Sequence, residues 1–296
     1  MNCTLCPRRC HAERGERDGN GYCGQGTLPR IARAGLHFWE EPCISGEKGS
    51  GAVFFSGCTL GCVYCQNDEI SHGGVGELVT EERLGEIFRE LIGQGAQNIN
   101  LVSPTPFLPV LEHLLRSERL PVPVVYNCSG YETVEALRRM EGLVDIYLPD
   151  LKYISPALSQ RYSGTADYFE AASRAVLEMR RQTGPAVYDE DGRMRSGTMV
   201  RHLILPSHAE ESKAVLRWCG ENLPEGTPVS VMAQYLPCGR ASGFPEINRR
   251  IAKSEYNAVL DELFSLELDG YVQERSAAKR EYIPPFDLSG VTKKDS

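Results

Sequence analysis

Six short apolar runs, each followed by a stretch of helical periodicity, organise the chain from about Gly51 onward. The first run is Ala52-Val53-Phe54-Phe55, closing on Ser56-Gly57. After it, Thr80 offers a helix cap, Leu84, Ile87, Phe88, Leu91 and Ile92 share one face, and Gly93 and Gly95 stop the helix. Ile99 to Val102 form the second run, ahead of a helix carrying Leu108, Leu111, Leu114 and Leu115. The third run, 122–126, leads into a helix over about 132–140, and the fourth, 144–148, into helices reaching about 182. Residues 188–195, with Asp191-Gly192 at their centre, read as a hairpin. The fifth run, 199–205, precedes a helix over about 209–221. The sixth, 229–233, precedes a last helix over about 253–268, ended by Gly270. The tail is expected to fray from Thr292.

Six strand-then-helix units in a row imply parallel strands joined by crossover helices, in a sheet that stays open or curls into a barrel. No Gly-x-Gly-x-x-Gly follows the first run, which speaks against a dinucleotide fold. In a barrel, chemistry gathers where the strands end. Polar residues do follow the runs: Ser56 to Cys65, Ser103-Pro104-Thr105, Asn127-Cys128-Ser129, Asp150 with Lys152, and Gln234-Tyr235. Residues 1–50 differ from the rest. They are rich in Cys, Gly and Arg, hold no sustained apolar period, and need a staple in place of a core. The organisation expected is a Cys-rich segment over 1–50, a strand–helix body over 51–275 and a tail over 276–296.

Composition narrows the class. The chain has 296 residues and a formal net charge of -8, so no broad basic field exists to bind nucleic acid or an anionic membrane. No apolar run approaches a membrane span, and the first residues lack the pattern of a secretory signal. Eight of the eleven cysteines fall within the first 65 residues. A clustered, odd count in a cytoplasmic-looking chain reads as metal or cofactor ligation before it reads as a disulfide scaffold.

The sharpest chemical signal is Cys58-Thr59-Leu60-Gly61-Cys62-Val63-Tyr64-Cys65. Three thiolates at this spacing in a strand-end loop can turn onto one soft centre, zinc or iron–sulfur. With the strand–helix units behind it, this loop resembles the radical S-adenosylmethionine (SAM) superfamily, and the wider chain resembles the group related to pyruvate formate-lyase activating enzyme. The landmarks of the latter are His37 to Pro42, Gly51 to Asn67, Tyr147 to Lys152, Arg201 to Pro206, and Gln234-Tyr235.

The resemblance implies an α/β fold, a partial (βα)6 barrel behind an N-terminal Cys-rich metal-binding segment. It implies that Cys58, Cys62 and Cys65 hold a 4Fe–4S cluster whose fourth iron site binds SAM. One electron from a flavodoxin- or ferredoxin-like donor then cleaves SAM, and the 5′-deoxyadenosyl radical takes hydrogen from a substrate. It matches Asp150 and Lys152 to an Asp-Leu-Lys element lining the cofactor site, against the plain reading of a surface ion pair. His202 matches a histidine near the methionine carboxylate. Asn127-Cys128 stands where an activating enzyme has an Asp-Thr pair of a monovalent-cation site, so an amide replaces that carboxylate. Ser103-Pro104-Thr105-Pro106 stands where the superfamily often has Gly-Gly-Glu, and there Ser103 and Thr105 would serve through hydroxyls because the prolines cannot donate.

Cys3, Cys6, Cys10 and Cys23 would close a tetrahedral zinc site or an accessory iron–sulfur cluster, the alternative being free thiols. Cys43, Cys128, Cys219 and Cys238 default to small buried hydrophobes. Glu40-Glu41 would face substrate or water, and Arg8, Arg9, Arg14 and Arg17 would dock an acidic partner or face solvent. Two functions remain open. One is an oxygen-sensitive cytoplasmic enzyme acting on a glycyl residue of a partner protein, a small molecule or a peptide. The other is an iron–sulfur electron carrier, in which Cys128 would be the fourth ligand.

Overall fold

The computed structural model describes residues 3–292; residues 293–296, part of the tail expected to fray, lie outside them. Eleven strands are described: β1 (Arg30–His37), β2 (Ser50–Phe55), β3 (Glu77–Leu78), β4 (Ile99–Val102), β5 (Val124–Cys128), β6 (Ile146–Pro149), β7 (Val187–Tyr188), β8 (Met194–Thr198), β9 (Val200–Leu203), β10 (Val229–Met232) and β11 (Gly270–Val272). The six apolar runs are β2, β4, β5, β6, β9 and β10. Parallel pairing joins β2, β4, β5 and β6 in one sheet and β9, β10 and β11 in another. A parallel bridge from Asp150 to Arg201 joins the two. The Leu151 N–H donates to the Arg201 carbonyl at 2.8 Å, and the Met199 N–H to the Tyr147 carbonyl at 3.0 Å. The result is a curled, open α/β sheet and not a closed barrel.

Local chemistry accounts for the boundaries. Thr80, Thr133 and Ser155 cap the helices Glu81–Gly93, Val134–Arg139 and Pro156–Ser163 through their side-chain oxygens. Pro121 and Pro123 cannot donate to a ladder, so the third strand begins at Val124 and takes in Asn127 and Cys128, two residues beyond the apolar run. The hairpin around Asp191-Gly192 forms as β7 and β8.

Strand alternation sorts the two faces. Val53, Phe55, Leu101, Tyr126 and Tyr147 pack under the helices with Leu84, Phe88, Leu111 and Leu137. On the other face, Val125, Ile146 and Leu148 meet Met194, Met199, Cys43 and Ile44. Cys43 and Ile44 belong to a short helix, Pro42–Ser45, that fills this side of the sheet. The expected break near residue 50 therefore cuts through the main sheet. β1 pairs antiparallel with β2, and the segment after β1 supplies core. Residues 3–28 remain irregular, with isolated bridges from Arg14 to Gly19 and from Asp18 to Gln25.

The tail is also built in. The Leu288 N–H donates to the Ala32 carbonyl at 3.0 Å and the Ala34 N–H to the Ser289 carbonyl at 2.9 Å, so the tail covers the free edge of β1. Among the described residues, no helix is long and apolar enough to cross a membrane.

Candidate radical SAM site

A cavity opens at the C-terminal ends of β2, β4, β5, β6, β9 and β10. Cys58, Cys62 and Cys65 line it, as do Ser103, Asn127, Asp150 and Lys152. Strand positions that share the inward parity of Asp150 add to the wall, among them Arg201 and Leu203 of β9 and Met232 of β10.

The cysteine loop leaves β2 through Gly57, whose φ of +85° is a left-handed conformation that suits glycine. The Cys58 Sγ accepts the Leu60 N–H at 3.4 Å. The Cys62 Sγ lies 3.0 Å from the Ser163 hydroxyl, and the Cys65 Sγ 3.5 Å from the Ser71 hydroxyl. Cys65 also accepts the backbone N–H of Asn67. Burial and the neighbouring thiolates push Cys65 up to about 11 and raise Cys58 as well. The Cys58 and Cys65 thiols resist ionisation and need a cation beside them, and an N–H donor already faces each of these two sulfurs. These residues fit a thiolate-bound metal cluster with three protein ligands.

Next to the thiols stands a buried ionic lattice. Arg201 reaches Asp150 at 3.0 Å, Glu40 at 3.0 Å and the Asn127 Oδ1 at 2.6 Å. The amides of Asn100 and Asn127 each donate to Glu40 at 3.1 Å. Lys152 meets Asp150 at 2.5 Å. Burial opposes the Lys152 charge, but Asp150, with the cysteine sulfurs nearby, more than offsets it and holds the lysine above its usual range. Burial likewise opposes the Asp150 charge, and Lys152 and Arg201 together hold that carboxyl below its usual range. The plain reading of Asp150 and Lys152 as a surface pair thus gives way to a buried pair facing the cavity.

Two of the expected site residues do not join it. His202 alternates to the opposite face of β9, where its ring nitrogens meet the Leu151 carbonyl at 2.7 Å and the Ser212 hydroxyl at 2.9 Å. Burial lowers it to about 4, so it is a neutral structural histidine. Thr105 donates to Glu132 at 2.6 Å on the helix side of the sheet. Ser103 stays at the cavity, at a φ of +59°, with its N–H on the Asn127 carbonyl at 2.9 Å. Arg201 stands beside His202 in the sequence, and the histidine is the more conspicuous chemical group. The period of two, counted from Asp150 across the strand pairing, would have placed Arg201 inward. Glu40 was expected to face substrate or water, and the fold turns it into the lattice instead.

Cys128 borders the cavity, but its side chain packs among the helix-side residues with Tyr126 and Tyr147, beside Glu132. It is not placed as a fourth cluster ligand. Glu132 is itself buried, and burial raises it to about 8 against the hydrogen bonds from Thr105, Tyr126 and Cys128. The folded state therefore keeps a proton that the unfolded chain gives up near its usual 4.5. Stability tied to this group is full below that value and is lost as pH rises to about 8, at about 1.4 kcal/mol per pH unit. Urea unfolding of wild type and Glu132→Gln between pH 5 and 8 is expected to show this slope in the wild type and its loss in the variant.

The sequence model of the Radical SAM superfamily matches residues 52–190, the span that holds the three cysteines and the first four parallel strands. Over this span the chain is similar to the radical SAM superfamily. An uncharacterised protein of Methanocaldococcus jannaschii is 29% identical over 278 residues, covering 90% of this chain and 76% of its own. The crystal structure of Streptococcus suis SuiB aligns with 74% of this chain and 47% of its own, at 14% identity and a TM-score of 0.50. The hydrogenase maturase HydG of Carboxydothermus hydrogenoformans aligns with 77% of this chain and 54% of its own, at 14% identity and a TM-score of 0.48. The chain thus spans about half the length of these solved structures, and the likeness to SuiB, at such identity, is one of fold.

The N-terminal cysteines form a second group. Cys23 feels the charges of Cys3 and Cys10, and Cys6 those of Cys3 and Cys23. The Cys6 thiol accepts the Arg8 N–H and the Cys23 thiol the Gln25 N–H, each from the residue two places on. Cys58 and Cys65 accept from Leu60 and Asn67 in the same way. Among the described residues, no three His, Cys, Asp or Glu side chains converge on a single metal position.

Proposed function

We propose that Cys58, Cys62 and Cys65 hold the cluster and that Asp150, Lys152, Asn127 and Ser103 bind the methionine end of SAM beside it. The observation that carries this reading is the buried Lys152–Asp150–Arg201 lattice in the same cavity as the three thiols. A cation and a carboxylate held side by side match the carboxylate and ammonium of an amino acid. When bound, the cluster and SAM supply a one-electron cleavage that yields a hydrogen-abstracting carbon radical. Asp150 and Lys152 fix the orientation of the amino acid end. Trp39, stacked on Tyr282 at 4.0 Å, and the segment holding Ala277, Lys279 and Pro284 narrow the mouth and keep water out.

The proposed substrate is a glycyl residue of a partner protein, as in the activating enzymes that the chain resembles. Phe38 and Trp39, about half exposed beside the mouth, offer such a partner apolar contact. The carrier reading loses support because the Cys128 side chain faces the helices while a charged pocket stands beside the thiols. The N-terminal cysteines are proposed as a four-thiolate metal site, supported by the N–H donors on Cys6 and Cys23. Metal analysis of purified protein tells zinc from iron–sulfur there.

The test is anaerobic reconstitution with iron and sulfide, reduction, and addition of SAM. 5′-Deoxyadenosine and methionine are expected in equal amounts. A full cluster whose EPR spectrum is unmoved by SAM, with no cleavage, would overturn the assignment.

A further inference from the structure

The N-terminal lobe lies directly on the outside of the cysteine loop, and one side chain makes most of the contact. The Arg8 Nε donates to the Thr59 carbonyl at 2.9 Å, between Cys58 and Cys62. Its Nη1 donates to the Gly164 carbonyl at 2.7 Å and its Nη2 to the Ser163 carbonyl at 3.2 Å. The guanidinium is stacked 3.9 Å above the Tyr22 ring, with Tyr131 at 5.7 Å beyond. Tyr22 adds shape: a Cβ at Gly61 would collide with its hydroxyl. Ser163, whose carbonyl Arg8 holds, turns its hydroxyl to the Cys62 Sγ at 3.0 Å and accepts the Gly61 N–H at 3.2 Å.

Arg8 is itself set by the cysteine lobe. Its backbone N–H is the donor on the Cys6 thiol, and Tyr22 precedes Cys23 in the chain. Arginine suits the task because its planar fork bonds several carbonyls at once, where lysine offers a point charge. Residues 3–28 have little core of their own, so ligation of the proposed four-thiolate site would be what keeps this fork in place.

We propose that Arg8 is a positioning residue for the cluster loop, and that the cysteine site at the N-terminus acts through it to hold Cys58 and Cys62 in register. The loop-holding part is independent of the reading of the cavity as a radical SAM site; the effect on the cluster rests on that reading. Arg8 also places a fixed positive charge behind the loop, which favours the more negative, reduced state of a bound cluster.

Hydrogen exchange on the full chain without the loop cluster tests the first part. In Arg8→Met, the Gly61 and Val63 amides are expected to exchange about tenfold faster or more, while those of β4 and β5 are unchanged. Cys3→Ser, distant from the loop in sequence, is expected to reproduce this. Equal exchange in wild type and Arg8→Met would overturn the clamp, and equal exchange in wild type and Cys3→Ser would overturn its control by the cysteine site. Arg8→Lys covers the case in which Arg8→Met does not fold, and should show the same faster exchange.

Redox titration of the reconstituted cluster, followed by EPR, tests the second part. Arg8→Met is expected to shift the midpoint potential to more negative values, with Arg8→Lys returning part of the shift but not the slow exchange. Unchanged potentials in both would overturn the electrostatic role. A clamp seen by exchange in a protein that binds no cluster would refute the radical SAM reading and leave the clamp standing.

Discussion

Replacing Cys58, Cys62 or Cys65 by alanine is expected to abolish 5′-deoxyadenosine formation, with the fold retained. Each thiol lines the same cavity, and each has a hydroxyl or N–H donor beside its sulfur. Removing one leaves a cluster with two protein ligands, which cannot keep a single open iron site for SAM. The controls are Cys128→Ala and Cys219→Ala. Cys128 packs on the helix side and Cys219 lies in the core under the last helices, so both variants should cost stability and keep cleavage. The measurement is iron content and 5′-deoxyadenosine per chain. Cleavage at wild-type rates by Cys62→Ala would refute the cluster assignment. Loss of cleavage in Cys128→Ala with the cluster gone would restore the carrier reading.

Arg201→Met is expected to cost the largest stability loss of any single polar substitution in the lattice, about 3–5 kcal/mol. Arg201 is the shared partner of Glu40, Asp150 and Asn127, and its side chain is largely buried. Without it, Glu40 keeps only amide donors and Glu41 lies in the core with one carboxylate oxygen lacking a partner. Burial already raises Glu41, and Arg201 is the main charge opposing that rise. Arg201→Lys should recover little, because one ammonium cannot reach three acceptors that a guanidinium serves from several edges. Denaturant unfolding at neutral pH gives the number. A loss below about 1 kcal/mol would show that the lattice is solvated and does not depend on this cation.

The element pattern was legible in the sequence because it rests on short-range rules. Leu84, Ile87, Phe88 and Leu91 declare a helix face by spacing alone, and Thr80 declares its start. Runs such as Ile99 to Val102 declare buried strands because both of their faces are covered. Strand β1 was not legible. Its sequence, Arg-Ile-Ala-Arg-Ala-Gly-Leu-His, holds no sustained apolar run, and it gains its partners from β2, from β3 and from the distant tail. The same distance hid the filling of the sheet by Cys43 and Ile44, which a reading by segments left outside the main body.

The sequence by itself determined the six strand–helix units, their parallel order and the resemblance carried by the cysteine loop, because hydrophobic period and the spacing of three cysteines are properties of neighbours along the chain. Only the tertiary structure decided which charges meet. Glu40, Asp150 and Arg201 are far apart in sequence, and their contact depends on strand register and on the path of the segment after β1. Strand parity then turned Arg201 into the cavity and His202 out of it, a difference of one residue that spacing cannot weigh without knowing which face is inside. Arg8 followed the same rule: its charge is plain in the chain, but its acceptors at Thr59, Ser163 and Gly164 are brought to it by the fold.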